Sequence, residues 1–112
     1  MTYTGVVQKG ARRGTSFGFP TANISFSGPE SGIYAAKVLL DGTEYHAAVY
    51  ADQSRKLLEA HLGKFPGGDL YGKEVEIELL KKIRESKKFE DDASLREAIA
   101  QDIQAVRSYF LS

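Results

Sequence analysis

Ile33-Tyr34-Ala35-Ala36-Lys37-Val38-Leu39-Leu40-Asp41-Gly42-Thr43-Glu44-Tyr45-His46-Ala47-Ala48-Val49-Tyr50 reads as two alternating runs about one turn. Successive side chains of a strand point to opposite sides. Tyr34, Ala36, Val38 and Leu40 therefore share one face, and Tyr45, Ala47 and Val49 share the matching face on the return. Asp41-Gly42 suits a type I′ turn, whose two central residues both need positive φ. The stretch predicts a β-hairpin with one face toward a core.

The flanks extend this pattern. Thr2 to Val7 is short and β-branched, a first strand, and Ile24 to Phe26 suggests another. Gly28-Pro29-Glu30-Ser31-Gly32 is a turn cluster that introduces the hairpin. After it, Ala51 to Lys56 is polar and reads as a loop, and Leu57 to Leu62 as a strand. Phe65 to Asp69 and Tyr71 to Lys73 supply further turns. Glu74 to Ile83 predicts the longest strand, with Val75, Ile77 and Leu79 inward and Glu74, Glu76 and Glu78 outward. Its phase slips at Leu79-Leu80, as a β-bulge would require. Leu95, Ile99, Ile103, Val106 and Phe110 then recur at helical spacing, behind a Ser94-to-Glu97 capping box. Several short strands and one terminal helix predict an antiparallel barrel, closed or partly closed, with the helix over an opening or a face.

Composition narrows the function. The chain has 112 residues, enough for a single domain spanning 1–112 with its own core. Lys+Arg and Asp+Glu are 15 each, which argues against a coat for nucleic acid or anionic lipid. With no cysteine, disulfides and thiolate metal sites are excluded, and a reducing cytoplasm is the expected compartment. No apolar run is long enough to span a membrane, and no signal peptide precedes the first strand.

Four segments carry chemistry. Gly10 to Gly18 holds three glycines with Arg12 and Arg13. Its backbone can approach phosphate oxygens closely, although a flexible loop has the same composition. In Gly18-Phe19-Pro20-Thr21-Ala22-Asn23, Thr21 and Asn23 offer oxygens to a hard cation, or Asn23 bonds its own backbone in a turn. Glu59 and His61 lie two apart, on one face of a strand: Glu59 faces solvent or works inward, and His61 reads as a partly buried, hydrogen-bonded histidine. His46 reads as a strand-surface residue. The Lys81-to-Phe89 run is a solvated basic face, in which Arg84 and Phe89 can contact an aromatic ligand.

In order, Gly10, Gly14, Gly18-Phe19-Pro20-Thr21-Ala22-Asn23, Ser31-Gly32-Ile33-Tyr34-Ala35, Glu59-Ala60-His61-Leu62, Gly68-Asp69-Leu70-Tyr71-Gly72, Ile83-Arg84-Glu85-Ser86-Lys87-Lys88-Phe89 and Ile99-Ala100-Gln101-Asp102 resemble the riboflavin kinase domain. In many bacteria this domain is fused behind an FMN adenylyltransferase. The resemblance runs from about Tyr3 to Phe110, and Gly-Phe-Pro-Thr-Ala-Asn is its most specific motif. It implies a mainly β fold: a six-stranded antiparallel Greek-key barrel with a C-terminal α-helix. It further implies transfer of the γ-phosphate of ATP to the ribityl 5′-hydroxyl of riboflavin, giving FMN and ADP.

By the same resemblance, Gly10, Arg12, Gly14, Gly18, Pro20, Thr21 and Asn23 hold the nucleotide, and the Gly10-to-Gly18 loop is a flap over ATP. Thr21 and Asn23 hold Mg²⁺, Glu59 is the base, and Arg84 and Phe89 belong to a flavin-side flap. One departure stands out: the family's Ile-Gly…Pro-Thr-Phe-like segment after the second hairpin strand has no counterpart in Val49-Tyr50-Ala51-Asp52-Gln53-Ser54-Arg55-Lys56. The expected partners are ATP and riboflavin, with no nucleic acid, no membrane and a monomeric chain. Two other readings compete: a flavin- or nucleotide-binding module without turnover, and a small barrel that binds single-stranded nucleic acid through its aromatics and the Lys81-to-Lys88 run.

Overall fold

Asp41 and Gly42 both adopt positive φ, 51° and 77°, and Leu40 pairs directly with Thr43, so the hairpin turn forms as expected. The structure, a computed structural model, describes residues 1–8, 21–63, 70 and 72–111. The expected nucleotide flap, with Gly10, Arg12, Gly14, Gly18 and Pro20, lies outside the described residues. So do most of the Phe65-to-Asp69 loop's neighbourhood, residues 64–69, and Tyr71.

Six strands are described: β1 (Thr2–Val6), β2 (Thr21–Ser25), β3 (Gly32–Leu40), β4 (Thr43–Asp52), β5 (Leu57–Leu62) and β6 (Glu74–Arg84). They form one antiparallel sheet in the order β1-β6-β3-β4-β5-β2. Strands β3, β4 and β5 follow one another as a meander, and β6 returns to lie beside β3, which is a Greek-key connection. The outer strands β1 and β2 then meet. The Gln8 amide donates to the Asn23 carbonyl at 2.7 Å, and a Cβ on Gly5 would stand 3.0 Å from Cβ of Ile24. The sheet is thus a nearly closed barrel, with glycine at its seam.

Strand alternation fills the lumen. Ala22, Ile24, Ala36, Val38, Leu40, Ala47, Val49, Leu58, Ala60, Leu62, Val75 and Ile77 are all buried in one cluster, each 3% exposed or less. The inward faces read from sequence are the observed ones. The phase slip is real as well: Ala36 pairs with Leu79 but Ala35 with Lys81, so Leu80 is an extra residue, and a second shift makes Ile83 another. These two bulges turn the end of β6 so that Arg84 pairs with Ile33.

Three boundaries differ by more than a residue from the sequence reading, the first being that of β2, which begins at Thr21 and not at Ile24. Strand β4 continues through Asp52, because Ala51 is a lumen residue and Asp52 is buried, and only 53–56 turn. The helix α1 (Asp92–Leu111) starts ahead of Ser94. Asp91, not Ser94, is its cap: the Asp91 carboxylate accepts from the Ser94 amide at 2.7 Å. An aspartate three residues upstream can satisfy the same orphan amide, and its negative charge complements the helix N-terminus. The helix covers the outside of the barrel wall, where Val106 packs on Ile33, Ala35 and Ala48.

Candidate active site

The register of four strand pairs assembles a line of residues that are far apart in sequence. Asn23 on β2 lies opposite Glu59 on β5, Glu59 opposite Tyr50 on β4, Tyr50 opposite Ile33 on β3, and Ile33 opposite Arg84 on β6. Their strand neighbours Ala22, Ile24, Leu58, Ala60, Val49 and Ala51 are lumen residues, so this row lies on the outer face. A second outer row, one pleat away, runs Thr21, His61, Ala48, Ala35 and Lys81. The motif residues of β2, β5 and β6 are thereby brought onto one wall.

The helix leans over these rows and leaves a cavity of about 330 Å³. Ile33, Ala48 and Tyr50 line it from the sheet, Leu95 and Ile99 from the helix, and Phe89 from the connecting segment. The alanines bring the sheet side close to any flat ligand. Glu59, His61 and Arg55 form its polar end. At the other side Arg84 reaches Asp102 through Nε at 2.8 Å and Nη2 at 2.7 Å, and its Nη1 donates to the Glu85 carbonyl at 3.0 Å. The fork ties the end of β6 to the helix. The Arg84 guanidinium also lies 5.9 Å from the Phe89 ring centroid. A small apolar cavity with a few converging polar groups has the character of a small-molecule site.

Glu59 is held from both sides. Its Oε1 is 3.2 Å from Nε2 of His61, and its Oε2 is 3.7 Å from Nη2 of Arg55. Burial works to push its carboxyl up, but the His61 hydrogen bond and the charges of His61 and Arg55 outweigh it, so the carboxyl stays below the usual glutamate range. Arg55 is itself placed by a tight turn. The buried Asp52 carboxylate accepts from the amides of Ser54 and Arg55, both at 3.1 Å, from the Ser54 hydroxyl at 2.9 Å, and from Arg55 Nε at 2.6 Å. Lys56, at φ 55°, then turns the chain into β5. This is how the short connection after Val49 is built.

Among the described residues, two buried polar atoms lack a hydrogen-bond partner: Oδ1 of Asn23 and Nδ1 of His61. A buried carbonyl oxygen left without a donor is costly unless something electropositive meets it. Beside it on the same face stands Thr21, whose hydroxyl is a second hard oxygen. Mg²⁺ retains waters and needs few protein oxygens when phosphates supply the rest, so this pair fits such an ion. Among the described residues there is no cluster of three histidines or carboxylates to suit a metal held by protein alone.

The structure therefore brings together Thr21, Asn23, Glu59, Arg84 and Phe89. It shows Arg84 engaged by Asp102, a partner that sequence reasoning quoted without giving it a role. Reasoning from sequence also missed Arg55 and Tyr50. The only signal for Arg55 was its four-residue spacing from Glu59; Tyr50 had been read simply as the end of a strand.

Residues 1–110 match the family described as Flavokinase: Riboflavin kinase. The chain is 36% identical over 118 residues to the bifunctional riboflavin kinase/FMN adenylyltransferase of Haemophilus influenzae, covering 96% of this chain and 38% of that protein. It is 33% identical over 116 residues to the RNA-binding riboflavin kinase RibR of Bacillus subtilis, covering 95% of this chain and 50% of that protein. A crystal structure described as a macrolide-efflux protein from Streptococcus pneumoniae superposes with a TM-score of 0.79 at 26% identity, over 95% of this chain and 38% of that one. The chain thus spans half or less of these proteins' lengths. With the family match over nearly all of its residues, the chain belongs to the riboflavin kinase family.

Proposed function

We propose that this chain transfers the γ-phosphoryl group of ATP to the 5′-hydroxyl of riboflavin, giving FMN and ADP. The observation that carries the reading is the outer-face row: register sets Asn23 beside Glu59, and the same row continues into the apolar cavity at Tyr50 and Ile33. A hydroxyl presented at the polar end of the cavity thus meets a carboxylate next to the candidate metal-binding oxygens.

In this reading the flavin ring lies between the sheet residues Ile33, Ala48 and Tyr50 and the covering Phe89, Leu95 and Ile99. The ribityl chain points to Glu59. The hydroxyl oxygen attacks the γ-phosphorus, the bond from that phosphorus to the β-phosphate oxygen breaks, and the hydroxyl proton passes to Glu59. Its lowered pKa suits a group that orients the hydroxyl and takes the proton late, as the transition state develops, more than one that abstracts it at the start. A bound Mg²⁺ would neutralise charge on the transferring phosphates, with Thr21 and Asn23 as its protein oxygens. Gly10, Arg12, Gly14, Gly18 and Pro20 are proposed to hold the nucleotide on the opposite side.

Equal numbers of acidic and basic residues support small-molecule substrates in preference to nucleic acid, and the absence of cysteine supports a cytoplasmic setting. No helix among the described residues is long and apolar enough to cross a membrane. We take the domain to be 1–112 and monomeric.

The deciding experiment incubates the purified chain with riboflavin, ATP and Mg²⁺ and separates the flavins by HPLC. FMN formation establishes the kinase. Flavin binding without FMN would leave a binding module and overturn the proposal.

A further inference from the structure

Two arginines line the cavity, and they differ in what their guanidinium groups have left to give. Arg84 uses all three nitrogens, two on Asp102 and one on the Glu85 carbonyl. Arg55 commits only Nε among the described residues, to Asp52. Its Nη2 stands 3.7 Å from Glu59 Oε2, an ion-pair distance too long for a good hydrogen bond. The Nη edge of Arg55 therefore keeps donor capacity, and it sits against the carboxylate where the phosphoryl acceptor must lie. Its side chain is 44% exposed, open to a ligand from the cavity, while the buried Asp52 fixes its base.

We propose that Arg55 holds the phosphoryl group once it has been transferred, making the turn between β4 and β5 a subsite for the phosphate-monoester end of the product. The inference rests on the kinase reading above. The acceptor hydroxyl has to come within hydrogen-bond reach of Glu59, so a phosphorus bonded to that oxygen carries its free oxygens to the groups flanking the same carboxylate. His61 flanks it on one side with Nε2 directed at Glu59; Arg55 flanks it on the other with a planar fork suited to two phosphate oxygens. A dianionic monoester beside Glu59 also needs a cation. Arg55 supplies one without moving the Arg84–Asp102 pair.

The test measures binding of FMN and of riboflavin separately, by quenching of flavin fluorescence, with neither ATP nor metal present. The wild-type chain is expected to bind FMN about tenfold more tightly than riboflavin, the size of one charge-assisted hydrogen-bond contribution at a partly exposed site. In Arg55→Gln that ratio falls to about one, and in Arg55→Lys, which keeps the charge and loses the fork, it falls partway. A purely structural role would weaken both flavins together and leave the ratio standing. No preference in the wild type, or an unchanged ratio in the variants, overturns the proposal. Thermal melts accompany each variant, and if Arg55→Gln does not fold the Arg55→Lys ratio decides. Because no turnover is involved, loss of the FMN preference and failure to make FMN by HPLC are independent results.

Discussion

Arg84 and Asp102 join strand β6 to helix α1 by two parallel hydrogen bonds of 2.8 and 2.7 Å, with the Asp102 side chain 8% exposed and the Arg84 side chain 30%. Removing the carboxylate charge strands a cation in a place largely shut off from water. Asp102→Asn is expected to cost about 2 kcal/mol in urea unfolding, less than the loss from breaking a fully buried pair because Arg84 keeps some solvent. The same variant loosens one side of the cavity, so its KM for riboflavin rises. An unchanged unfolding midpoint would show that the fork carries little of the attachment between helix and barrel.

Glu59→Gln keeps shape and loses the proton acceptor. Turnover is expected to drop about a hundredfold or more, within the usual contribution of a general base. Single-turnover FMN formation measures it, and full activity in the variant would remove Glu59 from the chemistry.

The pH profile follows from the same carboxylate. In the proposed reaction Glu59 works ionised, and its folded pKa is held below the ordinary value, so activity is expected to persist into mildly acid solution and to fall only as pH drops through that lowered pKa. His61→Ala removes the hydrogen bond that opposes burial, so the acid limb of kcat/KM moves to higher pH. Stability has the same sign. Burial works to raise the Asp52 pKa, yet the Arg55 and Ser54 hydrogen bonds bring it down. The stabilisation from Asp52 and Glu59 is therefore fully present above their unfolded pKa values and is lost as pH falls through the folded ones. An acid limb that does not shift in His61→Ala would argue that His61 is not what keeps Glu59 ionised.

Asn23→Ala deletes a buried oxygen with no hydrogen-bond partner among the described residues. Its effect should appear in metal dependence: the Mg²⁺ concentration for half-maximal activity rises about tenfold or more, the size seen when metal sites lose a supporting group. Thr21→Ala is expected to behave alike. A variant that loses turnover at unchanged Mg²⁺ requirement would assign Asn23 to the nucleotide alone.

Gly5 stands where β1 meets β2, and Ile24 below it is fully buried with no room to yield. Gly5→Val is expected to cost about 1–3 kcal/mol through overpacking. The loss is read as a lower thermal midpoint, and an unchanged one would mean the seam opens without penalty.

Much of the architecture was legible in the residues. The alternation of Val75, Ile77 and Leu79, the Asp41-Gly42 turn and the slip at Leu80 are local signals, written within a few positions of where they act. The site was legible only in part. Glu59 and Asn23 stood out as residue types in a motif, but their adjacency is a matter of strand register, which no local pattern records. Arg55 could not be singled out because its position depends on how Asp52 folds the turn around it. Asp102 looked like any polar residue near the helix stripe, since its partner lies on a strand and not on the helix.

The site also lies on the outside of the wall, not in the lumen, and this has a consequence for how the chain comes into being. The lumen is filled by side chains regardless of any ligand, whereas the row from Asn23 to Arg84 exists only after the last strand has crossed back beside β3 and the helix has settled on it. On the proposed reading, flavin cannot nucleate this fold from an early fragment of the domain, since its site also needs Arg84 of β6 and Leu95 and Ile99 of the helix. Binding competence would then be a checkpoint for completed folding: a chain that held flavin would already have paired β6 with β3 and docked its helix.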